Sequence, residues 1–95
     1  MAANVNVALI GAGRIGRVHA QNLTTRIQNA NLLIIADVVE AAAQQCAADF
    51  HIPRAGTSPQ AVFEDAAIEA VIICSSTDTH ARLIIEAAEA GKRIF

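Results

Sequence analysis

Apolar and polar positions alternate in blocks along this chain, and the period of the pattern changes from block to block. Val5 to Ile10, Leu32 to Ala36 and Ala70 to Cys74 are short continuous runs of aliphatic residues. Such runs mark strands covered on both faces. Arg54 to Thr57 and Lys92 to Phe95 have room only for brief strands. Between the strands the spacing is helical. A first helix is predicted from near Arg14 to about Gln28, with Ile15, Val18, Leu23 and Ile27 turned to a sheet. A second follows Asp37 and carries Val39, Ala43, Cys46, Ala47 and Phe50 on one face. It ends at His51-Ile52-Pro53, because the residue before a proline is pushed out of the helical region. Ser58-Pro59 reads as an N-cap followed by proline in the first helical position, opening a short helix that ends near Ala66. Ser75 to His80 is a polar loop rich in capping residues. The last helix runs from it to about Ala90, with Gly91 just past its end.

Strands alternating with helices in this way imply a parallel sheet with right-handed crossovers. The expected fold is α/β, a Rossmann-type doubly wound sheet in the order 3-2-1-4-5. Ligands of such sheets bind where the strand order reverses, between strands one and four. The turn after strand one and the Ser75 to His80 loop therefore converge on one crevice. Residues 1–95 are read as a single dinucleotide-binding domain. A sheet ending as its fifth strand begins lacks a sixth strand, so the expectation is a domain incomplete at its C-terminal end, with any substrate domain absent from the chain.

Composition narrows the possible partners. The chain is 54% hydrophobic but only 3% aromatic, so the core must be aliphatic. A net charge of −2, with basic residues spread along the chain, gives no electrostatic reason to expect nucleic acid or an anionic membrane. No apolar stretch approaches the roughly 20 residues of a membrane span, and Met-Ala-Ala-Asn lacks the positive segment of a secretory signal. Cys46 and Cys74 form no CxxC pair and have no nearby histidine, so they read as buried, reduced thiols and not as metal ligands. His19 reads as a packing or capping residue of the first helix and His51 as an exposed residue ending the second, neither with a metal-ligand partner. A soluble cytoplasmic protein is expected.

The candidate chemistry lies at the end of strand one, in Gly11-Ala-Gly13-Arg-Ile-Gly16. In a strand-to-helix turn of this spacing, Gly11 permits the tight turn and Gly13 lets backbone approach a diphosphate. Gly16 lets the new helix pack closely on its strand. The unpaired N–H groups of Arg14 and Ile15, at the positive end of the helix dipole, would face the diphosphate. Asp37 closes strand two about twenty residues further on, where a dinucleotide site needs a carboxylate for the adenosine ribose diol. A 2′-phosphate would meet that negative charge. Val38 and Val39 follow with no cation in reach along the sequence, so NAD is predicted over NADP.

Three stretches together resemble the glucose–fructose oxidoreductase / inositol 2-dehydrogenase family. They are Ala8 to Ala20 with Ala36-Asp37-Val38, then Ala70-Val-Ile-Ile-Cys-Ser-Ser-Thr-Asp-Thr-His80, and finally Glu89-Ala-Gly-Lys-Arg-Ile-Phe95. The resemblance runs the length of the chain, and the Thr77-Asp-Thr-His80 variant is most similar to inositol 2-dehydrogenases. It implies an oxidoreductase passing hydride from a sugar or cyclitol hydroxyl to NAD. It also implies a C-terminal domain that holds the polyol or sugar substrate, mediates homo-oligomer assembly and carries the acid–base pair. On that resemblance no catalytic residue is carried over to this chain. The cofactor-binding set implied is Gly11, Gly13, Arg14, Ile15, Gly16, Asp37, Val38, Ser75, Ser76, Thr77 and His80.

Some roles stay open at this level. The Arg14 side chain reaches either phosphate or solvent. Ser75, Ser76 and Thr77 either hydrogen-bond the diphosphate or nicotinamide ribose or, for Thr77 and Asp78, cap the last helix, and the two are compatible. His80 is read as ordering its loop near the nicotinamide half and not as a general base. Two rivals remain: a non-catalytic module sensing nicotinamide nucleotides, and a methyltransferase or flavoprotein with a related glycine turn.

Overall fold

Nine elements alternate strictly in the computed structural model, which describes residues 5–27, 29–75 and 77–95, with Thr77 and Asp78 described in backbone only. They are β1 (Val5–Ile10), α1 (Arg14–Thr25), β2 (Ala30–Ala36), α2 (Glu40–Phe50), β3 (Arg54–Gly56), α3 (Pro59–Glu64), β4 (Ala70–Ile73), α4 (Thr77–Glu89) and β5 (Arg93–Ile94). The strands form one parallel sheet in the order β3-β2-β1-β4-β5, as the alternation predicts.

Side chains leave a strand on alternate faces, so β1 feeds two cores. Val7 and Leu9 pack with Ala20, Leu23, Cys46 and Ala47 of α1 and α2. Ala8 and Ile10 pack with Val62, Phe63, Leu83 and Ala87 of α3 and α4. The register of β2 slips against β1 between Val7 and Ala8, where Leu32 and Ile34 become successive partners. This bulge turns both Leu33 and Ile34 to the α3/α4 side.

Several boundaries differ from the pattern-based reading. In α1 the buried residues are Gly16, Ala20 and Leu23, whereas Ile15 is 60% and Val18 50% exposed. Gly16 and Ala20 let the helix backbone sit against the strands, which rotates the larger Ile15 and Val18 onto its flank. Ile27 lies beyond the end of α1 and is exposed. Helix α2 begins at Glu40 and not directly after Asp37, leaving Val39 exposed at its N-cap. β2 starts two residues earlier than expected, and α4 starts at Thr77, inside the expected loop. His19 is exposed and not packed. His51 is exposed, in the left-handed conformation (φ 58°) that closes α2. Ser58 caps α3, its Oγ accepting the Ala61 N–H at 3.2 Å, with Pro59 in the first turn as predicted.

The α4–β5 turn explains one of the stretches that carried the family resemblance. Gly91, at φ +78°, donates its N–H to Ala88 O and Lys92 donates its own to Ala87 O. This is the paired arrangement that ends helices at a left-handed residue. The Lys92 ammonium then donates to Asp65 O at 2.8 Å and Ile68 O at 2.7 Å, tying this turn to the α3–β4 connection.

Candidate functional site

The turn after β1 is pinned from both sides. Gly11 donates its N–H to Ala36 O of β2 at 2.8 Å, and Cys74 donates to Ile10 O at 2.7 Å. Gly11 has φ +108°, and a Cβ there would lie 2.6 Å from Cys74 O. At Gly16 a Cβ would lie 1.9 Å from Gly11 O, so the fold itself forbids a side chain at either position. Gly13 is different. Its φ of −77° suits any residue, and a Cβ would meet nothing within 4 Å. The protein places no steric demand on Gly13, and its side-chain direction is open.

Gly13 is also the N-cap of α1, with no side chain to satisfy the first amides of the helix and no acidic residue in the first turn. The N–H groups of Arg14, Ile15 and Gly16 are thus presented at the positive end of the dipole. Across the turn, Asp37 is held in place: Oδ2 accepts the Ala12 N–H at 2.7 Å and Oδ1 accepts the Val39 N–H at 2.8 Å. Its own N–H donates to Gly56 O at 3.0 Å. An ionised carboxylate has about four lone-pair sites, so both oxygens keep capacity for hydroxyl donors.

A cavity of about 560 Å³ opens at the carboxyl ends of β1, β2 and β4, within the size range of small-molecule sites. It brings together Gly11, Gly13, Asp37, Val38 and Ser75 from the sequence-predicted set. Ser75 Oγ is buried and, among the described residues, has no hydrogen-bond partner. Arg14 and Ile15 are exposed at the start of α1, Gly16 is buried beneath the turn, and half-buried His80 sits in the first turn of α4; none of the four lines the cavity. Ser76 and the side chains of Thr77 and Asp78 lie outside the described residues.

Sequence reasoning missed Thr57, Ser58, Gln60, Thr79 and Arg82, which also line the cavity. The first three follow β3, whose pairing with β2 puts its end beside Asp37. Thr79 and Arg82 are three apart on α4, so they share a face. Cys74 also contributes, and burial pushes its thiol pKa up, keeping it in the weakly reactive thiol form. Open space at Gly13, a helix start with no side-chain cap, a fixed carboxylate and a hydroxyl without a partner among the described residues together suit a ligand with a diphosphate and ribose hydroxyls.

A doubly wound parallel sheet with this glycine turn and this acid defines a dinucleotide-binding domain. Over residues 5–95 the chain matches the Gfo/Idh/MocA family, described as an oxidoreductase family with an NAD-binding Rossmann fold, and it belongs to that family. It is 43% identical over 91 residues to scyllo-inositol 2-dehydrogenase (NAD(+)) of Bacillus subtilis, covering 96% of this chain and 27% of that protein. With myo-inositol 2-dehydrogenase of Thermotoga maritima it shares 38% identity, again over 96% of this chain and 27% of the other. Among solved structures it resembles myo-inositol dehydrogenase from Lactobacillus casei in complex with NAD(H) and myo-inositol. The TM-score there is 0.93 at 29% identity, over 97% of this chain and 27% of that one. The chain thus spans about a quarter of the length of these relatives. Among the described residues no helix is long and apolar enough to cross a membrane.

Proposed function

We propose that this chain is the coenzyme-holding domain of a cytoplasmic, NAD-dependent dehydrogenase that oxidises a CH–OH group of a cyclitol or sugar. Its share of the work is to bind and orient NAD. The substrate domain, the acid–base residues and the homo-oligomer interface lie outside residues 1–95. The observation that carries this is Gly13, a glycine the fold does not need, opening on the same cavity as the fixed Asp37 carboxylate and the Ser75 hydroxyl, which has no partner among the described residues. Relatives named as inositol dehydrogenases, one of them solved with NAD(H) and myo-inositol, supply the substrate class.

When bound, NAD supplies the hydride acceptor. The residues of this chain hold it. The Arg14, Ile15 and Gly16 N–H groups donate to the diphosphate, and Gly13 gives it room. Asp37 accepts from the adenosine ribose diol, which favours NAD over a coenzyme with a 2′-phosphate, and Val38 flanks that ribose. Ser75, Ser76 and Thr77 serve the diphosphate and the nicotinamide ribose, and His80 orders the start of α4. No finding favours a sensing module, a methyltransferase or a flavoprotein.

The test has two parts. Calorimetric titration of NAD into the full chain is expected to give saturable one-site binding, with NADP weaker by about tenfold or more. A screen of cyclitols and sugars with the whole protein is expected to yield reduced nicotinamide with inositols. Absence of NAD binding would overturn the coenzyme assignment, and binding without turnover of any polyol would overturn the substrate class.

A further inference from the structure

The groove continues past the ribose acid, and its far wall contains a cation that linear inspection does not reveal. Arg82 of α4 lines the same cavity as Asp37 and Val38, together with Pro59, Gln60 and Leu83. Arg82 Nε lies 3.8 Å from Glu86 Oε1 one turn on, and the other oxygen of Glu86 accepts from Gln60 Nε2 at 2.9 Å. The Gln60–Glu86 hydrogen bond joins α3 to α4, with Arg82 beside Glu86 where it lines the cavity. Val38, from the β2–α2 loop, stands 82% exposed on the same cavity. An aliphatic side chain so exposed beside a ribose-binding carboxylate presents a bare apolar surface.

With the diphosphate at Gly13 and the ribose at Asp37, the base must lie further along this groove, among Val38, Pro59 and Arg82. We propose that Arg82 is a coenzyme-binding residue that stacks its guanidinium on the adenine ring, with Glu86 and Gln60 acting as positioning residues. This rests on the coenzyme reading of the groove given above. A planar, delocalised cation covers an aromatic face well. It would be a poor seat for a 2′-phosphate, because Glu86 already offsets its charge and Asp37 adds a second negative group to the groove.

The proposal is tested by titrating the full chain and its Arg82→Ala and Arg82→Lys variants with NAD, NADP, AMP and nicotinamide mononucleotide. Arg82 is 64% exposed at its side chain, so both variants are expected to unfold at the wild-type temperature. Arg82→Ala is expected to weaken NAD and AMP alike, by about 3- to 30-fold, and to leave the mononucleotide, which has no adenine, unchanged. Arg82→Lys keeps the charge without the plane and is expected to recover only part of the loss. Equal AMP affinity in wild type and Arg82→Ala overturns the stacking role. A loss confined to NADP overturns it too, since the guanidinium would then be meeting phosphate. If wild type binds neither NAD nor AMP, the coenzyme reading itself falls and the proposal with it.

Discussion

The Asp37 carboxylate accepts the main-chain N–H of Ala12 at 2.7 Å, joining the end of β2 to the middle of the glycine turn after β1. The acid is thus part of the turn's architecture before any ligand arrives. Its second oxygen takes the Val39 N–H at 2.8 Å and so shapes the approach to α2. Holding the carboxylate from two sides spares the ligand the cost of ordering it.

This double attachment gives substitutions at Asp37 two separable effects. In Asp37→Ala the part-buried Ala12 N–H loses its partner, a loss of about 1–3 kcal/mol in stability, and NAD loses its ribose acceptor. The double change Asp37→Ser with Val38→Arg is expected to move preference toward NADP, raising its affinity relative to NAD by about tenfold or more. Unfolding curves and paired titrations check both effects, and an unchanged NAD/NADP ratio would count against the ribose contact.

The missing side chain at Gly16 is a demand of the fold itself. A Cβ 1.9 Å from the Gly11 carbonyl oxygen cannot be relieved by a side-chain shift, since both partners are backbone. Gly16→Ala is therefore expected to cost more than about 3 kcal/mol. Circular dichroism melts would reveal this as a drop of about 12 °C or more in a domain of this size.

Lys92 is a structural fastener. Its ammonium satisfies the carbonyls of Asp65 and Ile68, and neither lies in the cavity. Lys92→Met is expected to lower stability by about 1.5–3 kcal/mol, measured by denaturant unfolding, while NAD affinity stays within about twofold. A large loss of NAD affinity at unchanged stability would contradict this assignment.

Acid should weaken the fold through two carboxylates. Arg54 holds Asp65 at 2.9 Å, with the Ala67 N–H on its other oxygen, and its pKa lies below the ordinary carboxylate value. Asp49 is lowered likewise, by hydrogen bonds from Arg17 and then Gln45. A carboxyl whose pKa falls on folding stabilises above its unfolded pKa, and that contribution drains away as pH drops through the folded value. Melting temperature should decline below about pH 4, and Asp65→Asn should flatten the decline.

The sheet order could be read from the sequence because continuous Val/Ile/Leu runs separated by helical segments admit few topologies. The glycine turn and Asp37 were also legible, since both depend on short-range spacing. Other features were not. Ile15 and Val18 looked like core on α1, but the closeness allowed by Gly16 and Ala20 cannot be seen from periodicity alone. Arg82 sits 45 residues from Asp37 in sequence, and only the folding of α4 back onto the sheet brings the two to one cavity. Lys92 was visible as part of a family-like ending, but its partners Asp65 and Ile68 were not.

The most direct test is a calorimetric titration of NAD into the full chain and its Gly13→Ala variant, with thermal unfolding measured alongside. A methyl at Gly13 meets no protein atom within 4 Å and suits a φ of −77°, so stability should change by no more than about 1 kcal/mol. With the diphosphate lying against that backbone, NAD affinity should fall tenfold or more. A folded Gly13→Ala chain that binds NAD as tightly as wild type would contradict the account.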